Sequence, residues 1–192
     1  MATYTQRLHA FVPDRTYTVA DDALLWRDGK GGAGQVAYAD LAEVRLSYAP
    51  TRVQKNRYFL TLSTGHDTAL QISNENYLGL ADFQDCSPSY RIFVTELHRA
   101  IAAANPGVRF EAGSTGMQRS LHWLLTGFIL LVLAAAALAF ITLGLYWLVL
   151  VKVGIIAYYL PTLKRYLGIN KPRRYAPSAI PEEMLPTAPA VA

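Results

Sequence analysis

The sequence predicts an α+β protein: a curved antiparallel sheet, forming a partial barrel, closed by one C-terminal helix and followed by a two-helix transmembrane hairpin. Three observations predict it. Between Arg15 and Asp85, apolar residues alternate with polar ones in short runs separated by turn residues, the period of half-buried strands. From Tyr90 to Ala104 they recur every three or four residues, the period of one amphipathic helix. From Ser120 to Leu163 a single charged side chain, Lys152, interrupts apolar sequence. The chain accordingly divides into an N-terminal arm (1–14), a soluble domain (15–105), a linker (106–119), the hairpin (120–165, turn near 142–146) and a Pro-rich basic tail (166–192).

Taken in order, Tyr17–Ala20 and Ala23–Arg27 read as strands around the turn pair Asp21 and Asp22. The glycine-rich stretch from Asp28 to Gly34 lacks the glycine, lysine and hydroxyl spacing of a phosphate-binding loop and opens no helix, so it reads as a hairpin connection. Val36 and Tyr38 point inward, Asp40 and Leu41 make a corner, and Val44, Leu46 and Tyr48 resume the alternation. Tyr58, Leu60 and Leu62 share one face of the next strand, which a Gly-His-Asp turn joins to TALQIS. NENYLGLADFQD shows no clear period and reads as an irregular stretch or a last short strand.

One helix closes the domain. Ser87 is a good N-cap and Pro88 suits the first helical position. Tyr90, Phe93, Leu97, Ile101 and Ala104 form its stripe, and Asn105-Pro106-Gly107 stops it.

The apolar run is too long for one perpendicular span of about 20 residues and long enough for two. Trp123, Tyr146 with Trp147, and Tyr158 with Tyr159 mark interfaces. They place the turn around Gly144, and the second helix ends by Lys164 and Arg165, with Pro161 distorting its last turn. A single long tilted helix over Leu121–Val151 is the alternative. Arg109 and Arg119 precede the run, and Lys164, Arg165, Lys171, Arg173 and Arg174 follow it. A hairpin puts both groups on one side, which the positive-inside tendency makes the cytoplasm. The expected location is the inner (cytoplasmic) membrane of the cell, multi-pass, with both termini cytoplasmic. The opening residues have no apolar core of signal-peptide length, and the single cysteine allows no internal disulfide.

Charge distribution bears on partners. Residues 1–118 carry 11 Lys or Arg against 12 Asp or Glu, while residues 119–192 carry 7 against 2. The positive excess lies beside the membrane, which argues against nucleic acid as a partner. The tail, with five prolines from Asn170 onward, reads as extended or disordered; IPEEMLP is the one piece with the make-up of a docking segment.

The VAYADLAEVRLSY bend, the RYFLTLST hairpin, the helix entry ADFQDCSPSYRIFVTELHRAI and the tail INKPRRYAPSAIPEEMLP resemble the bacterial PH-like domains found on small uncharacterised membrane proteins. The resemblance covers nearly the whole chain and its motifs are structural. It implies a PH-like, non-enzymatic interaction domain. It departs from the pleckstrin-homology pattern in lacking a certain seventh strand and a phosphoinositide signature.

Few residues suggest chemistry. His9, His66, His98 and His122 have no metal-ligand spacing, and no cofactor motif is present. Cys86 precedes a helix N-terminus, a place that lowers a thiol pKa, but Asp85 opposes thiolate formation. Asp40, Asp82 and Asp85 read as turn and cap residues. The densest positive charge of the domain is a loop with Arg45, Arg52, Lys55 and Arg57 around Val53, a candidate surface for anionic lipid headgroups or a protein partner. Lys152 within a span snorkels to the interface or contacts a partner. Gly127 and Ala134–Ala137 permit close helix contact and hence a homo-oligomer through the hairpin. The leading expectation is a membrane-anchored interaction module facing a protein partner or lipid headgroups. The alternatives are an accessory subunit of a membrane transport or assembly complex, acting through its hairpin, and a membrane-bound enzyme using Cys86.

Overall fold

The structure, a computed structural model, describes residues 2–51, 54–65, 67–114 and 116–187. It separates into two compact units: Met1–Gly113 together with Arg173–Ala192, and Ser114–Pro172.

The first unit is mixed α+β. Strands β1 (Thr3–Gln6), β2 (Arg15–Val19), β3 (Ala23–Asp28) and β4 (Ala33–Ala37) form an antiparallel meander in sequence order. The expected N-terminal arm therefore contains an edge strand. Thr-Tyr-Thr-Gln carries too little apolar pattern to announce itself; tertiary contacts hold it. The Tyr4 hydroxyl donates to the Ser73 carbonyl at 2.7 Å, and its ring stacks on Phe93 with centroids 5.4 Å apart.

The Asp28–Gly34 loop is the hairpin connection expected. The Asp28 carboxylate accepts the amides of Lys30 and Gly32 at 2.9 and 2.7 Å, so these N–H groups are already held by an anion of the chain's own. Gly34 must lack a side chain, because a Cβ there would lie 2.6 Å from the Trp26 ring.

After a 3-10 turn at Tyr38–Asp40, the corner expected near Asp40, come β5 (Glu43–Tyr48), β6 (Tyr58–Thr64) and β7 (Asp67–Ser73), again an antiparallel meander. Val36, Tyr38, Val44, Leu46, Tyr48, Tyr58, Leu60 and Leu62 are all buried, as their alternation predicts. The stretch without clear period is a hairpin, β8 (Glu75–Gly79) with β9 (Asp82–Asp85), whose Tyr77 and Phe83 rings meet edge to face.

Helix α1 spans Ser87–Ala104 and buries Tyr90, Phe93, Val94, Leu97, His98 and Ile101. Ala104 is exposed. Cys86 holds the N-cap position, and Ser87, expected there, is the first helical residue. Asp85 takes over the capping, accepting the Ser87 amide at 2.8 Å and also the Ser87 hydroxyl. At the other end the Asn105 side-chain amide donates to the Tyr38 and Leu41 carbonyls, which ties the helix stop to the β4–β5 corner.

Two further expectations are corrected. The linker contains β10 (Arg109–Ala112), which pairs parallel to β5; the tail contains β11 (Arg173–Arg174), antiparallel to β10, giving the order β11-β10-β5-β6-β7. Beyond β11 the tail lies on the first unit instead of in solvent. Met184 is fully buried, Leu185 and Pro186 are buried, and Arg91 and Arg173 pair with Glu182 and Glu183 at 2.8 and 2.5 Å. The composition lacked core formers on average, but three apolar residues in one short segment are enough when a preformed surface receives them.

The second unit consists of α2 (Gly116–Thr142) and α3 (Tyr146–Ile169). Gly144, at φ 74°, turns the chain where expected. The Gly144 amide donates to the Ile141 carbonyl and the Leu145 amide to Phe140, the bond pattern of a Schellman cap. That pattern explains how so apolar a sequence makes a turn: the αL glycine lets the backbone satisfy itself without polar side chains. α3 continues through Pro161 to Ile169, past its expected end near Arg165.

Among the described residues one helix, Leu124–Thr142, is long and apolar enough to cross a membrane, with mean hydropathy 2.8 and none of its residues buried. The described residues of α3 make no such uninterrupted run, so the expected pair of spans and a multi-pass topology have no support from helix length and hydropathy. The side chains of Trp123, Tyr146 and Tyr159, which marked the interfaces, lie outside the described set.

Candidate functional site

Of the residues expected to form one surface, Arg45, Lys55 and Arg57 are described, and each has its own surroundings. Arg45 lies on the outer face of β5 between Glu43 and Glu111. Its guanidinium pairs with both carboxylates and donates to the Gly113 carbonyl, leaving the side chain 11% exposed. An arginine so occupied is a strut of the sheet. Arg57 turns the other way and rests over the Phe59 ring, 4.6 Å from its centroid. Lys55 is exposed, and its carbonyl accepts the Tyr48 hydroxyl at 2.7 Å. Arg52 and Val53 lie outside the described residues.

A denser polar cluster, which sequence reading missed, surrounds the start of α1. Fully buried Asn74 accepts the Tyr58 amide at 2.7 Å and donates to the Asn56 carbonyl and the Ser87 hydroxyl at 2.8 and 3.0 Å. Next to it Glu75 is buried, opposite Asp85 in the β8–β9 register. Its Oε2, like Arg57 Nε, has no hydrogen-bond partner among the described residues. Burial pushes the Glu75 carboxyl up to about 7; nearby Arg57 opposes that and Asp85 adds to it.

The same surroundings act on Cys86. Burial and then the Asp85 charge push its thiol up, outweighing a hydrogen bond with Tyr4. Burial, with the Asp85 charge beside it, thus opposes the thiolate that a helix terminus would favour. Among the described residues no group of three His, Cys, Asp or Glu side chains is placed to hold a metal ion.

A second missed constellation joins α1 to the tail. His98 is fully buried, its Nδ1 2.7 Å from the Val94 carbonyl and its Nε2 2.8 Å from the Tyr175 hydroxyl. A carbonyl only accepts, so Nδ1 carries the proton and Nε2 accepts from Tyr175. Burial pushes the imidazole down to about 4, against the opposing pull of the Val94 carbonyl. The signal was available for His98, which lies on the apolar stripe four residues after Val94. None was available for Tyr175, 77 residues away in a proline-rich segment. The tail also divides the surface beside α1 into two open clefts of about 460 and 480 Å³, with Pro177 lining both. Neither cleft gathers a nucleophile, a base and an oxyanion donor.

Within the second unit Lys152 stands over the Phe140 ring, its Nζ 4.4 Å from the centroid. The aromatic face gives the cation a partner inside its own helical unit.

No protein-family model, curated protein or solved structure matches this chain.

Proposed function

We propose that the protein is a membrane-anchored interaction module, with the helical unit embedded in the bilayer and the sheet unit displayed at the cytoplasmic face to a protein partner or to lipid headgroups. The observation that carries this reading is the unburied apolar helix Leu124–Thr142. Contiguous apolar surface of that length is stable in hydrocarbon and not in water.

The path of the chain supports a specific topology. It leaves the first unit at the end of β10 and re-enters at β11, where Ala112 pairs with Arg173. Ser114 in turn donates to the Asn170 carbonyl at 3.3 Å. Both ends of the helical excursion are thus fixed beside one another. A lone crossing would part them by the bilayer thickness and break the β10–β11 pairing. In this proposal α2 crosses outward and α3 returns, despite Lys152. The basic residues in the last turns of α3 and just after it, from Lys164 to Arg174, then face the cytoplasm.

A PH-like reading of the sheet unit rests on its order: a four-stranded meander, a three-stranded meander, a two-stranded hairpin, then a helix. The proposal is non-enzymatic, supported by the raised Cys86 thiol and by Asp85 being committed to Ser87. Lys152, seated over Phe140, gives no call for a second membrane protein.

Cysteine accessibility tests the topology. In a Cys86→Ser background of the full chain, an impermeant maleimide added to intact cells should label Gly144→Cys but reach Ser178→Cys only after permeabilisation. Labelling of both from the same side, or release of the protein from membranes by carbonate, would refute it.

A further inference from the structure

The tail is seated on the sheet unit at two separate places. At the first, Tyr175 follows directly on β11, its amide donating to the Phe110 carbonyl at 3.1 Å and its hydroxyl to His98 on α1 at 2.8 Å. At the second, residues 182–187 make a compact plug. It opens with a 3-10 turn, Glu182–Met184, that lies against β5. Met184, Leu185 and Pro186 are buried. Arg91 on α1 pairs with Glu182 and donates to the Pro186 carbonyl at 3.1 Å. Arg173 on β11 pairs with Glu183, and the Asn56 side-chain amide donates to the Thr187 carbonyl at 3.3 Å.

The span between these seats is longer than its path. His98 and Arg91, which receive its two ends, are seven residues apart on α1, about 10 Å of helix. The seven links from Tyr175 to Glu182, extended, reach about 23 Å. A turn takes up the slack, the Ala179 amide donating to the Ala176 carbonyl at 2.8 Å. Ala176, Ser178 and Ala179 are exposed, and Pro177 lines both open clefts. The groups that receive the plug, on α1, β5, β11 and the loop of Asn56, lie outside the span. They fix where the plug sits and not which chain brings it. Its ion pairs face solvent, Glu182 and Glu183 being 78% and 52% exposed, so they part and re-form at small cost.

An occupant of this seat carries two adjacent carboxylates followed by apolar residues, and the segment whose fit is displayed is the chain's own. A second copy brings the same segment. Exchange of identical elements is a low-cost route to dimers, because each contact is replaced by its equal.

We propose that residues 182–187 exchange between two copies of the chain, each plug occupying the other's seat while β11 and Tyr175 stay in place. Reciprocal exchange closes with twofold symmetry and joins the chains in pairs. It rests on the anchored reading in one respect: copies held in one bilayer meet at high local concentration, which favours exchange over the closed monomer. It puts the contact between copies on the sheet unit and not on the small residues of α2.

The test uses the full chain, Cys86→Ser throughout, with two populations mixed in micelles and then reconstituted in proteoliposomes. One carries Asn56→Cys and the other Thr187→Cys with a mass tag, two positions that meet in the seat. A short bismaleimide should join the populations severalfold more than when Asp21→Cys, exposed in the β2–β3 turn, replaces Asn56→Cys. Adding Glu182→Arg to the Thr187→Cys population should cut that product severalfold. Adding Arg91→Glu to the Asn56→Cys population should then restore it, since only a plug seated on the other copy meets both charges. The inference is overturned if a chain bearing both cysteines crosslinks within itself while the mixed populations, with or without the charge reversals, give no more product than the Asp21 control. No crosslink at all in the chain bearing both cysteines removes the seat and overturns it too. Carbonate extraction of the same vesicles reports the anchor separately: release of the protein refutes the anchored reading, and loss of the mixed product alone refutes the exchange.

Discussion

Two buried groups on the sheet unit should make its stability respond to acid in opposite directions, and substituting each separately should expose the other. His98 is held near 4 against an ordinary 6.5. In the unfolded chain it binds a proton as pH falls through 6.5, while the folded protein resists until about 4, so stability is lost across that window. At about 1.36 kcal/mol per pH unit the loss approaches about 3 kcal/mol. Glu75 is raised from an ordinary 4.5 to about 7. Its folded form takes up a proton first, so stability rises as pH falls from about 7 to 4.5, by a similar ceiling of about 3 kcal/mol. Between about 6.5 and 4.5 these contributions offset in the wild type. Glu75→Gln keeps the neutral form permanently and should uncover the histidine, giving a protein that weakens by about 2 to 3 kcal/mol on acidification. His98→Phe should do the reverse, and the double variant should lose both slopes. The assay is urea unfolding of the full chain in detergent micelles, in a Trp123→Phe, Trp147→Phe background, so that Trp26 reports the sheet unit alone. Superimposable pH profiles for wild type and Glu75→Gln would refute the reasoning by showing that Glu75 titrates as an exposed carboxyl does.

Other outcomes follow from the packing. Leu97→Ala, at a fully buried position on the stripe of α1, should cost about 2 to 5 kcal/mol by the same unfolding assay; a change below about half a kcal/mol would remove the helix from the core. Arg45→Ala takes from Glu43 and Glu111 the cation they share, leaving them Arg109 at 3.9 Å and Arg174 at 3.5 Å, and should cost about 1 to 3 kcal/mol, with vesicle binding of the folded protein unchanged. Met184→Ala, behind which the tail is seated, should cost about 2 to 5 kcal/mol and make the segment after β11 sensitive to limited proteolysis. Tail cleavage equal to wild type would show that the segment holds without it. Gly34→Ala drives a Cβ into the Trp26 ring and should cost about 1 to 3 kcal/mol, with a shift in Trp26 fluorescence.

The sequence by itself determined the elements whose periods are long and regular. The alternation of Val44, Leu46 and Tyr48 against Tyr58, Leu60 and Leu62 gave paired strands, because one face of a meander must be apolar. The spacing of Tyr90, Phe93, Leu97 and Ile101 gave α1, and the apolar run around Gly144 gave two helices with their turn. What it left open were pieces too short to show a period. Thr3–Gln6, Arg109–Ala112 and Arg173–Arg174 become strands because existing sheet edges offer them backbone partners, and no local propensity encodes an edge that lies elsewhere in the chain. The candidate surfaces divided in the same way. A run of basic residues near Arg52 was legible as charge, but only the fold shows Arg45 spent on Glu43 and Glu111, with Arg57 turned toward Phe59. His98 meets Tyr175 from 77 positions away, and Glu75 is set by Arg57 and Asp85, 18 and 10 positions from it on other strands and loops. Burial and hydrogen bonding between such residues are set by tertiary packing, so only the folded chain could decide them.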